Sequence, residues 1–97
     1  MKILFQPAAG LELQAAVDRY ASEDPQLALE FLDEIDRILE RIEENPYVFP
    51  SHHHGTRKAI PRRFPFLVIF RLLEPEVIEI VAITHQHRRP NYWKDRV

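Results

Sequence analysis

Two apolar runs set back to back constrain this chain most: Pro65 to Leu73 (PFLVIFRLL) and Glu76 to Thr84 (EVIEIVAIT), parted by Glu74-Pro75. Runs of this length, rich in β-branched and aromatic residues and bounded by turn residues, predict two buried strands. A tail from His85 to Trp93 follows and holds most of the unusual side chains: His85, His87, Arg88, Arg89, Tyr92 and Trp93. On strict alternation Phe66, Val68, Phe70 and Leu72 share one face with Ile78, Ile80, Ala82 and Thr84. That face is apolar except at its end and is expected to meet helices. The opposite face carries Leu67, Ile69, Leu73, Val77, Val81 and Ile83 together with Arg71 and Glu79, which are placed to pair across the hairpin. So much apolar surface on a second face calls for cover by the tail, a second copy or a partner peptide.

The upstream segments read as the scaffold for this hairpin. Lys2 to Gln6 is a short β-prone run stopped by Pro7. Ala8 to Ala21 places Leu13, Ala16, Val17 and Tyr20 on one helical face, with Gly10 leaving the helix start open. Asp24-Pro25 is a restart: an N-cap residue followed by a proline whose φ is already helical. Ala28, Phe31, Leu32, Ile35, Ile38, Leu39 and Ile42 then form a continuous apolar stripe that Asn45-Pro46 ends. Tyr47 to Gly55 is a loop containing His52, His53 and His54, and Arg57 to Ile60 a short strand. Adjacent histidines rarely converge on one ion, so the run reads as a solvated loop, and no metal or cofactor is expected.

The expected fold is α+β in the order β-α-α-β-β-β, a two-helix hairpin on one face of a small, mainly antiparallel sheet. Ninety-seven residues form one domain, 1–97. The absence of cysteine excludes disulfides, zinc–thiolate sites and thiol nucleophiles. No apolar run suits a membrane span and the N-terminus is no signal peptide, so a cytoplasmic protein without a membrane partner is expected. The net charge of −2 hides an asymmetry: residues 1–56 carry four Lys/Arg against eleven Asp/Glu, residues 57–97 nine against four. A basic C-terminal half fits a localised anionic target better than general coating of nucleic acid.

Several separated motifs resemble one family. Pro46 with its aromatic loop, Arg63-Phe64-Pro65-Phe66 opening a strand, and His85-x-x-Arg88-x-Pro90-x-Tyr92-Trp93-x-x-Arg96 look like the RelE/ParE superfamily of bacterial toxins, and most like its ParE branch. The resemblance covers nearly the whole chain. It implies the toxin of a type II toxin–antitoxin pair, bound by a cognate antitoxin in a higher-order complex.

Relatives of this kind act in two ways. ParE-like proteins trap DNA gyrase without chemistry of their own, which makes Arg88, Arg89, Tyr92 and Trp93 the target-binding residues. RelE-like proteins cleave messenger RNA on the ribosome, which needs a base for the 2′-OH, a cation for the charged transition state and an acid for the leaving oxygen. His85, His87, Arg63, Arg71 and Tyr92 are the catalytic candidates for that alternative. A third alternative is an inactive homologue that only binds an antitoxin. The motif similarity favours the gyrase inhibitor. Set against these roles, Trp93, Phe64 and Phe66 suit the core, and Arg63 and Arg88 suit pairing with acidic helix residues. Arg88 and Arg89 are the residues packing explains least.

Overall fold

A computed structural model describes residues 1–73 and 75–97. Glu74, expected in the connection between the two long strands, lies outside the described residues. The elements are β1 (Lys2–Phe5), α1 (Pro7–Glu23), α2 (Pro25–Glu44), β2 (Arg57–Ala59), β3 (Phe66–Leu73) and β4 (Val77–His85). Two 3-10 turns, Pro46–Val48 and His53–Gly55, shape the loop before β2, and a third, Lys94–Arg96, closes the tail. The sheet order is β1-β4-β3-β2, with β1 parallel to β4 and the other pairs antiparallel. The β-α-α-β-β-β order and the mainly antiparallel sheet are those expected.

Each helix starts where its proline allows. Pro7 occupies the first turn of α1, and Gly10 donates its N–H to the Gln6 carbonyl at 3.0 Å. The helix therefore begins one residue before Ala8, with Gly10 inside its opening turn, where burial of Ala9 and Ala16 offsets the propensity cost of glycine. Asp24 caps α2, its Oδ1 accepting the Gln26 N–H at 3.0 Å.

The apolar stripe of α2 lies on the sheet, and an aromatic cluster welds the β2–β3 connection to it. Phe31 sits 5.1 Å from Phe64 and 5.2 Å from Phe66, and Tyr20 5.2 Å from Phe64, in tilted and edge-on arrangements. Phe64 and Phe66 are thus core, with Pro65 exposed between them.

The expected side-chain parity of β4 fails halfway along. Ile69 pairs with Ala82 but Phe70 pairs with Ile80, so Val81 is an extra residue, a β-bulge. Beyond it the faces exchange. Ile83, not Ala82, joins Phe66, Val68, Phe70, Ile78 and Ile80 beneath the helices. Val81 and Ala82 turn to the outer face with Ile69, and there Trp93 covers them. This part of the outer face is covered by the chain's own tail. Arg71 and Glu79 pair across it at 2.6 Å, as expected. Among the described residues no helix is long and apolar enough to cross a membrane.

Candidate functional site

The geometry of the tail follows from a mismatch in strand length. Strand β1 accompanies β4 only as far as Ile80, so the rest of that edge of β4 has no strand beside it. Side chains satisfy the edge instead. The Ile83 N–H donates to Glu12 Oε1 at 3.2 Å, and the Val81 carbonyl accepts from Arg96 Nη1 at 3.0 Å. Glu12 and Arg96 are themselves a two-pronged ion pair, Nη1–Oε1 at 2.9 Å and Nη2–Oε2 at 3.1 Å. The same carboxylate accepts from the Tyr92 hydroxyl and, at 3.4 Å, from Arg88 Nη1. With a side-chain exposure of 12%, Glu12 is the anchor on α1 that holds three tail residues. Gln6 adds a clasp, its Nε2 donating to Glu79 Oε1 at 3.0 Å and to the Arg96 carbonyl at 2.8 Å.

This arrangement sets the protonation chemistry of the tail. Burial, and then the hydrogen bond to Glu12, pushes the Tyr92 phenol above its ordinary value. The hydrogen bond to Glu12 raises Arg96. Tyr92 is therefore a locked hydrogen-bond donor at neutral pH. His85 closes β4 against Phe66, with ring centroids 5.2 Å apart, and its Nδ1 accepts the His87 N–H at 3.1 Å. Burial and the neighbouring charges of His87 and Arg19 lower its pKa, favouring the neutral imidazole.

The residues singled out from the sequence fall into separate groups. Arg63 pairs with Glu30 of α2 at 2.7 Å, and Arg71 with Glu79 on the outer face. A depression of about 130 Å3 beside the tail is lined by His85, Arg88, Arg89, Tyr92 and Trp93, but by neither arginine pair nor by His87. Arg88 lies over the Tyr92 ring, 3.7 Å from its centroid, and pairs with Glu12 while 52% of its side chain stays exposed. Arg89 is exposed and makes no ion pair among the described residues. Trp93 is only 2% exposed. It packs on Ile69, Val81 and Ala82, with the rings of His52 and His54 each 5.8 Å away. The histidine run is therefore not wholly solvated: His52 and His54 flank the buried indole. No group of three or more His, Cys, Asp or Glu among the described residues is placed to hold a metal ion.

Sequence reasoning passed over Glu12 and Gln6, and gave Arg96 no role beyond its place at the end of the motif. A signal for Glu12 was present, since it lies three residues after Ala9 and four before Ala16, the two buried alanines of α1.

Comparison with known proteins places this geometry. The model of the family described as the ParE toxin of the type II toxin–antitoxin system parDE matches residues 3–90. A solved structure of a chromosomal ParDE toxin–antitoxin system from P. aeruginosa superposes with a TM-score of 0.74 at 25% identity, covering 88% of this chain and 95% of that one. None of the curated proteins matches the chain by sequence.

Proposed function

The chain belongs to the ParE toxin family of type II toxin–antitoxin systems, and from that premise we propose that it inhibits DNA gyrase by binding and is neutralised by a cognate antitoxin. The site of action is then the cytoplasm. The observation that carries the reading is how the tail's polar groups are engaged. Cleavage of a phosphodiester needs an acid, a base and a cation brought to one phosphate. Here Arg63, Arg71 and Tyr92 are each held by a different carboxylate, Glu30, Glu79 and Glu12. Among the tail's arginines, Arg89 and the half-exposed Arg88, which keeps its contact with Glu12, face solvent from a turn that the buried Trp93 anchors. Exposed arginines on a rigid base are suited to a protein interface. The antitoxin reading is supported by the P. aeruginosa structure, which is of a ParDE toxin–antitoxin system.

Purified gyrase, ATP and plasmid test the proposal. The toxin is expected to inhibit supercoiling and accumulate cleaved DNA. Arg88→Ala together with Arg89→Ala should weaken that effect by about tenfold or more, the scale of losing an interface arginine. Binding to the antitoxin and the thermal midpoint should stay near those of the parent, because Arg96 and Tyr92 still hold Glu12. Messenger RNA cleavage in a translating extract, with gyrase unaffected, would overturn the proposal. Failure of both reactions would leave an antitoxin-binding homologue.

A further inference from the structure

The tail sorts its cations. Arg88 and Arg96 turn toward Glu12, whereas Arg89 and Lys94 are exposed and appear in none of the ion pairs among the described residues. Together with His54, Pro90 and Asn91 they line a shallow depression of about 460 Å3, and no carboxylate lines it. His54 and Asn91, both with φ of 61°, are the non-glycine residues in left-handed backbone among the described residues, and both lie here. Such a conformation is disfavoured for residues with a Cβ, least for Asn, and is held only where surrounding structure imposes it. At Asn91 it reverses the chain, the Lys94 N–H donating to the Asn91 carbonyl at 3.0 Å, and brings Arg89 and Lys94 to one depression.

We propose that this His54–Arg89–Lys94 shelf docks the sugar–phosphate backbone of duplex DNA. The chemistry of the lining selects that partner. An amphipathic peptide needs apolar anchors, and Pro90 is the one apolar side chain in the lining. Single-stranded RNA or DNA needs exposed aromatic faces on which bases stack. Here Trp93 is buried and Arg88 covers the Tyr92 ring. Free cations with only the His54 ring and Pro90 beside them suit phosphates spaced along a duplex better than stacked bases. The proposal stands on charge, exposure and backbone geometry, and is independent of the gyrase reading.

The test is an NMR titration of the isotope-labelled protein with a short mixed-sequence DNA duplex at low salt. Amide shifts are expected at His54, Arg89, Asn91 and Lys94. With two or three phosphates neutralised, log K should fall against log salt with a slope of about −2. Arg89→Glu with Lys94→Glu should abolish the shifts, and Lys94→Glu alone should weaken them. Shifts elsewhere, equal or tighter binding of single-stranded RNA or of an acidic peptide of matched charge, or an unchanged affinity in the double variant would each overturn the inference. Because gyrase is absent from the titration, a protein that traps gyrase yet ignores free duplex would sink this inference alone. The reverse result would sink only the gyrase reading.

Discussion

Glu12→Ala is expected to release the tail from the sheet while leaving the helix–sheet core in place. The substitution strips acceptors from Arg96, Arg88, the Tyr92 hydroxyl and the Ile83 N–H together. Leaving a largely buried guanidinium and a backbone N–H unpaired is expected to cost about 3 kcal/mol, against a total stability of roughly 5–15 kcal/mol for a domain of this kind. Glu12→Gln keeps an acceptor of the same shape without the charge, and its loss should be intermediate. Trp93 is the single tryptophan of the chain, so its fluorescence reports tail docking directly. In Glu12→Ala the emission should shift toward that of a solvated indole before the main urea transition. An unchanged spectrum and midpoint would show that Glu12 does not hold the tail.

Trp93→Ala should be the more damaging change. The indole is 2% exposed and fills the outer cluster formed by Ile69, Val81 and Ala82. Removing a buried aromatic side chain costs about 3–5 kcal/mol, part of it from the cavity left behind. The loss extends beyond stability. His52 and His54 lose the ring they flank, and the Arg88–Arg89 turn loses its anchor. Urea denaturation followed by far-UV circular dichroism should show the lowered midpoint, with Trp93→Phe recovering a substantial part of it. A cost below about 1 kcal/mol would mean the tail is not part of the core, and the turn would need another explanation for its shape.

Much of this architecture was legible from residues whose physics is local. The α2 boundaries followed from Asp24-Pro25 and Asn45-Pro46, because a proline fixes where a helix begins and which residue must stay extended. The hairpin followed from two apolar runs, and the Arg71–Glu79 pair from their register. The β-bulge was hidden because Ile80, Val81, Ala82 and Ile83 are all apolar, so one extra residue leaves no mark on the hydrophobic pattern. Thr84 was accordingly assigned to the helix face, whereas it pairs with Leu67 and flanks the tail. Pairing of Arg88 with an acidic helix residue was expected and is found, but nothing local singles out Glu12, which is distant in sequence. The packing of His52 and His54 around Trp93 is also long-range and carries no periodic signal. The match to the family model ends at residue 90, before Tyr92, Trp93 and Arg96, which only the motif resemblance reaches.

The central claim, that the exposed turn of the tail acts on gyrase without chemistry of its own, is tested most directly in living bacteria. After brief induction, DNA and protein synthesis are followed side by side by pulse labelling. DNA synthesis should fall first while translation continues, and Arg88→Ala with Arg89→Ala should abolish the fall. An early loss of translation with DNA synthesis intact would contradict the account and return His85, His87 and Tyr92 to the role of catalytic candidates.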